Sequence, residues 1–168
     1  MQYPRYVDTT KCIACGLCSE KCPKKVVNDY DGALSNRKAI YVKYEQAVPL
    51  KYAIDADHCI YLTKGKCRTC EKVCPAGAVN FNDQHMDITL NVGAIILSSG
   101  CEPYNPGTHD VYGYTKSENI VTALEFERIL SSSGPFGGHL VRPSDNREPQ
   151  KIAWLQCIGS RDVHIGAN

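Results

Sequence analysis

Charge of one sign is missing from this chain: nineteen lysines and arginines stand against eighteen acidic residues, for a formal net charge of +1. That balance gives no footing for nucleic-acid binding or for a strongly charged partner surface. Long hydrophobic runs are missing as well. The longest, Val92 to Leu97, is broken by Gly93 and falls far short of the ~20 residues that cross a bilayer. The chain opens Met-Gln-Tyr-Pro-Arg, without the apolar stretch of a secretory leader. A disulfide-stapled secreted domain is therefore excluded, and a reducing cytoplasm is the expected location. No Ser/His/Asp set, phosphate loop or carboxylate pair stands out. Gly134-Pro-Phe-Gly137-Gly138 neither follows a strand nor opens a helix, so it is not a dinucleotide site.

What the chain does have is cysteine. Eight of its ten cysteines fall into two clusters, each ending in Cys-Pro. The first is Cys12-Ile-Ala-Cys15-Gly-Leu-Cys18-Ser-Glu-Lys-Cys22-Pro23. The second is Cys59, seven residues, then Cys67-Arg-Thr-Cys70-Glu-Lys-Val-Cys74-Pro75. Three thiolates spaced by two residues wrap one face of an iron–sulfur cube, and the fourth, before proline, reaches the other cube of a two-cluster ferredoxin. Applied here, cluster one takes Cys12, Cys15, Cys18 and Cys74, and cluster two takes Cys22, Cys59, Cys67 and Cys70. The residues between Cys59 and Cys67 must loop out. Structural zinc also accepts four thiolates, but such sites pair cysteines two and two. With eight thiolates and two oxidised cubes the loaded chain carries about −3.

At 168 residues, one or two domains fit. Composition changes near residue 90, which predicts a two-cluster ferredoxin-like domain over 1–91 and a different unit over 92–168. The first half repeats strand, cysteine loop, helical turn, Cys-Pro, strand. The expected strands are Tyr6–Asp8 and Val26–Asn28 in copy one, and Tyr52–Asp55 and Ala78–Asn82 in copy two. Proline after the fourth cysteine ends each turn. Gly16 permits close backbone approach, with amides aimed at cluster sulfurs. Copy two has no such glycine, which predicts unequal cluster environments and unequal potentials. Between the copies, Lys24 to Lys51 is longer than a minimal ferredoxin needs. Asp29-Tyr-Asp-Gly32 reads as a turn and Ala39 to Tyr44 as β-rich, giving a surface hairpin or a docking surface.

The second half reads as α/β. His85 to Leu90 alternates like a strand, Val92 to Leu97 is a short apolar run, and Lys151 to Cys157 reads as a buried strand. Thr122-Ala-Leu-Glu125 is a capping box opening a helix with Ala123, Phe126, Ile129 and Leu130 on one face. Strand, helix, strand suggests a piece of parallel sheet. Cys101 and Cys157 read as small apolar fillers, and the five histidines lack ligand spacing. Basic residues crowd both cysteine motifs: Lys11, Lys21, Lys24 and Lys25 around the first, and Lys64, Lys66, Arg68 and Lys72 around the second. Positive charge there would raise cluster potentials.

These residues resemble the iron–sulfur flavoprotein subunit of heterodisulfide reductase, a family of methanogens and other anaerobes. The specific parts are Tyr3-Pro-Arg-Tyr-Val-Asp8, Arg37-Lys-Ala-Ile-Tyr41 and Cys67 to Ala78. Further on they are Val92-Gly-Ala-Ile-Ile96, Leu124-Glu-Phe-Glu-Arg128 and Gln156-Cys-Ile-Gly-Ser-Arg-Asp162. The resemblance implies an α+β chain: a bacterial-type 2[4Fe–4S] ferredoxin domain inserted in a thioredoxin-reductase-like α/β flavin domain that binds FAD. It implies electron transfer linking flavin to low-potential acceptors. The implied partners are the other subunits of the complex, and ferredoxin or hydrogenase-type electron donors. Ser98-Ser99-Gly100 stands where the family has an Ala-Thr-Gly turn near the flavin. The family's flavin fingerprint would precede residue 1, so the chain reads as a fragment that neither holds FAD tightly nor catalyses by itself. Two other readings stand beside this one, an independent soluble 2[4Fe–4S] ferredoxin and a zinc-stabilised interaction module.

Overall fold

The computed structural model describes residues 3–158, 160 and 161, and the chain divides into two units, Met1–Asn91 and Val92–Asn168. In the first unit every element is short. The two cysteine loops each feed a four-residue helix, α1 (Leu17–Glu20) and α3 (Thr69–Lys72), and a third helix, α2 (Ile60–Lys64), lies between Cys59 and Cys67. Both four-residue helices start from a left-handed residue, Gly16 (φ 84) before α1 and Arg68 (φ 69) before α3.

The expected flanking strands form in part. β1 (Lys25–Val27) pairs antiparallel with β2 (Asn36–Lys38), with Val26 opposite Arg37. β3 (Ile40–Tyr41) pairs antiparallel with β4 (Ala53–Ile54), with Ile40 opposite Ile54. The outer segments of the two copies meet in a single antiparallel bridge, Val7 with Val79, closed by Asp8 N–H to the Ala78 carbonyl (2.7 Å) and Asn80 N–H to the Tyr6 carbonyl (2.9 Å). Tyr6–Asp8 and Ala78–Asn82 are thus a bridge, not strands. Tyr6 sits at φ 56, which a ladder cannot continue, and the distant Asp83 carboxylate accepts the Arg5 and Tyr6 amides (2.9 and 3.1 Å).

The stretch between the copies is a hairpin. Its tip is a 3₁₀ turn, Asp29–Asp31, ended by Gly32 at φ 61. Inside it the buried Asp31 carboxylate accepts from Asn28 Nδ2 (2.8 Å) and Ser35 Oγ (2.5 Å), so a buried charge has its hydrogen bonds. The core of this unit is Val7, Ile40, Ile54 and Ala78 packed with Cys12, Cys59 and Cys70. Sulfur and hydrocarbon share one interior.

The second unit departs from expectation. Its one α-helix among the described residues, α4 (Ala123–Leu130), has the full capping box: Glu125 N–H donates to Thr122 Oγ1 (3.3 Å) and Thr122 N–H to Glu125 Oε2 (2.6 Å). Ile129 is buried and Phe126 meets Trp154 edge to face at 4.8 Å, while Ala123 and Leu130 face solvent. After the helix Gly134 is required, because a Cβ there would lie 1.9 Å from the Arg128 carbonyl oxygen. No strand forms among the described residues of this unit. Val92–Leu97 and Lys151–Cys157 form no ladder with any described residue, and Ile96 is 92% exposed. His85–Leu90, in the first unit, forms no strand beyond a single bridge position at Met86. The parallel-sheet piece is therefore not formed: an apolar strand needs a hydrogen-bonded neighbour, and these segments have none among the described residues. Cys101 and Cys157 are exposed rather than packed as fillers. Gly159, Asp162 and His164 lie outside the described residues. No helix among the described residues is long and apolar enough to cross a membrane.

Candidate metal centre

Two cavities of about 350 Å³ each, open solvent at their mouths included, lie in the first unit. Cys12, Cys15, Cys18 and Cys74 line one, and Cys22, Cys59, Cys67 and Cys70 line the other. Each draws three cysteines from one repeat and one from the other. Ile40, almost wholly buried, lines both and forms the wall between them.

The helical turns explain the grouping. Gly16 and Arg68 reverse the chain just after Cys15 and Cys67, and one turn of helix later Cys18 and Cys70 point back at the same cavity. Asp8 and Asp55 do matching work at the entries: the Asp8 carbonyl accepts the Cys12 amide (3.0 Å) and the Asp55 carbonyl the Cys59 amide (2.9 Å). The longer spacing after Cys59 is absorbed by α2. Thr63 Oγ1 donates to the Cys59 carbonyl (2.7 Å), and Gly65 at φ 69 ends the helix. The insert thus winds up instead of looping out, and Cys59 stays buried.

The thiols feel one another. Burial, then the neighbouring Cys12, Cys15 and Cys74, push the Cys18 thiol up to about 11. Burial, then Cys59, Cys22 and Cys18, push Cys70 up to about 12. The Thr69 hydroxyl at 3.3 Å holds the exposed Cys67 thiol below its ordinary value. Thiolate ligation therefore requires these buried groups to shed protons to an incoming metal. One backbone amide already points at sulfur, Ala78 N–H to Cys74 Sγ at 3.3 Å. Among the described residues no three cysteine, histidine or carboxylate side chains converge on a point suited to one metal ion. Four soft donors spread around an apolar cavity fit a multinuclear cluster better than a zinc ion.

The cavities differ in their walls. The first is closed by Tyr52, whose hydroxyl would be 3.4 Å from a Cβ on Gly16. The second is closed by an aromatic pair, Tyr61 and Phe81 (4.4 Å between centroids), with the Arg68 guanidinium over Tyr61 at 4.9 Å. The clustered charges read from the sequence are mostly at the surface. Lys11 pairs with Asp8 (3.6 Å), Lys21 with Glu20 (2.7 Å) and Arg68 with Glu71 (2.6 Å). His58 bonds Asp55 (3.0 Å) and lines neither cavity. Two lysines that the motifs did not single out are half-buried beside the cysteines. Lys38 Nζ donates to the Cys22 carbonyl (2.6 Å) and Lys51 Nζ to the Cys12 carbonyl (2.5 Å). The spacing of the cysteine motifs does not mark these contacts, which span 16 and 39 residues.

Residues 11–78, which hold all eight of these cysteines, match the family model of a 4Fe–4S dicluster domain. The chain thus contains a dicluster iron–sulfur domain. Over 97% of its length it is also related to the iron–sulfur subunits of heterodisulfide reductases. It is 45% identical to the CoB–CoM heterodisulfide reductase iron–sulfur subunit of Methanocaldococcus jannaschii, of which it spans 24%. It is 40% identical to the corresponding subunit of the H₂:CoB–CoM heterodisulfide,ferredoxin reductase of Methanothermobacter thermautotrophicus, spanning 24%. The matching subunit of the ferredoxin:CoB–CoM heterodisulfide reductase of Methanosarcina mazei is 37% identical, with 20% of its length spanned. The chain therefore spans between a fifth and a quarter of the length of these relatives.

Proposed function

We propose that this chain relays single electrons through two [4Fe–4S] clusters as one segment of a heterodisulfide-reductase-type flavoprotein subunit. The observation that carries the reading is the sorting of eight cysteines, four to a cavity, with one cysteine exchanged between the repeats. Cys12, Cys15, Cys18 and Cys74 hold cluster one, and Cys22, Cys59, Cys67 and Cys70 hold cluster two. Each cluster stores and releases one electron at a time. The protein's part is to hold the sulfurs, keep water off the buried faces and set the local field. Cys15 and Cys67 are the exposed cysteines of the two cavities, so electrons exchange with partners on those two sides.

The second unit belongs, in this proposal, to a thioredoxin-reductase-type FAD domain completed by chain beyond these residues. The bare apolar segments around Ile95–Leu97 and Trp154–Leu155 support this. They are strands in composition without neighbours, and large exposed apolar runs mark surfaces that another segment covers. FAD, the partner subunits, ferredoxin or hydrogenase-type donors and a cytoplasmic location are part of the same reading. An independent ferredoxin would have its second unit closed over these residues.

The test is anaerobic purification with metal and sulfide analysis and EPR of the reduced protein. About eight iron and eight sulfide per chain, as two cubes require, with spin-coupled signals, are expected. A colourless protein that holds zinc and no acid-labile sulfide would refute the proposal.

A further inference from the structure

The hairpin insert between the cysteine repeats reaches the main chain of one cysteine from each cavity, through one lysine each. Lys38 lies in β2 and its Nζ donates to the carbonyl of Cys22, a cysteine of the second cavity (2.6 Å). Lys51 lies just before β4 and its Nζ donates to the carbonyl of Cys12, a cysteine of the first (2.5 Å). Both contacts are half-buried. Most of the other lysines near the motifs are exposed, and Lys11 and Lys21 are paired with carboxylates.

The lysines are held in place from behind. In the β1–β2 ladder Lys38 stands opposite Lys25. Its neighbour Arg37 is clamped by Asp55 (2.7 Å) and stacks over the Tyr41 ring at 3.9 Å. Lys51 lies two residues before Ala53, which pairs with Tyr41 across β3 and β4. The insert is therefore anchored to the second repeat on one side and hydrogen-bonded to two cysteines of the first on the other.

We infer that Lys38 and Lys51 are positioning residues that set the reduction potentials of the two clusters, one each, and that carrying them is what the hairpin insert does. The inference rests on the dicluster reading and deepens it. A cube gains one negative charge on reduction. An ammonium locked to the main chain of a ligand cysteine, shielded from solvent, stabilises that charge far better than a lysine in water, where salt and high dielectric weaken the field. It also polarises the Cys22 and Cys12 peptide groups and keeps those ligand loops from shifting between oxidation states.

The test uses the cluster-loaded full chain, with iron and sulfide counted in each sample and the midpoints read by EPR-monitored potentiometric titration at fixed pH. Lys38→Gln and Lys51→Gln keep a donor for the carbonyl and remove the charge; Lys38→Arg and Lys51→Arg keep both. Each glutamine variant is expected to lower one midpoint and not the other, on different clusters, and the double variant to lower both. The equilibrium constant for reduction should fall about tenfold, which is about 59 mV for one electron, and the arginine variants should restore the original midpoint. Less than a twofold change in both glutamine variants overturns the inference, as does an equal shift with arginine. Should a glutamine variant lose its cube, the arginine variant at that position decides: an unmoved midpoint supports the assignment and a displaced one overturns it. An unsubstituted chain without two cubes overturns the cluster reading itself, and the inference with it.

Discussion

The two cysteine repeats build the same cavity from different parts. Copy one uses glycine where the backbone turns left-handed, leaves its entry aspartate at the surface, and closes the cavity with one tyrosine. Copy two puts Arg68 at the turn, pairs its entry aspartate with Arg37, and closes the cavity with Tyr61, Phe81 and the Arg68 side chain. Four sulfurs around a void need only a reversal, one helical turn and an anchored entry. Each of these can be supplied in more than one way, and what is used instead changes the surroundings of the cube. Unequal reduction potentials are the expected consequence.

The largest effect that separates the copies is ligand loss. Cys59→Ser should abolish or convert the second cluster and leave the first, and Cys12→Ser the reverse, read as loss of about half the iron and of the spin coupling. If either substitution leaves both cubes intact, that cysteine's assignment as a ligand is wrong.

Next comes the entry aspartate. Asp55 and Arg37 are a nearly buried pair, with side chains 12% and 14% exposed. Asp55→Ala leaves a guanidinium without its partner, at a cost of about 3 kcal/mol by urea unfolding. Asp8→Ala removes a carboxylate held by Thr10 and the exposed Lys11 and should leave the urea midpoint almost unchanged. Acid gives the same contrast. Burial raises the Asp55 carboxyl, but the Arg37 and His58 hydrogen bonds outweigh it and hold the group below its ordinary 3.8. A lowered carboxyl contributes stability above its unfolded value and loses it as pH falls through the folded one. The Asp55 contribution should therefore be constant above about pH 5 and fade below about pH 4, and Asp55→Asn should flatten that part of the profile.

The smallest contrasts lie at the left-handed turns. Gly16→Ala places a Cβ at φ +84 and 3.4 Å from the Tyr52 hydroxyl and should destabilise by about 1 kcal/mol. Arg68→Gly should change stability by less than about 1 kcal/mol, because relief of the backbone offsets the lost contacts with Tyr61 and Glu71. It should still move the second cluster's potential, read by the same titration.

How much of this was legible in the sequence follows from the range of each interaction. Cysteine spacing is local, so the sequence marked the eight cysteines that the structure gathers around two cavities. The capping box at Thr122 and Glu125 is also local, and α4 begins there. The hairpin between the repeats was legible from its turn residues. Tyr6 was not, because its left-handed backbone is imposed by Asp83 from 77 residues away. Lys38 and Lys51 were hidden for the same reason, while the lysines adjacent to the motifs drew notice and proved to be mostly surface groups. In the second unit, the apolar pattern of Val92–Leu97 and Lys151–Cys157 says what must be covered and not what covers it. Strands were expected there, and among the described residues the chain is unpaired.

The winding of α2 has a consequence for how such a half-site is recognised. A single coil takes up the extra residues after Cys59, so a longer run to the next cysteine leaves the first one in place. A search pattern that demands two intervening residues would pass this half-site by, although Cys59 stays buried at the second cavity.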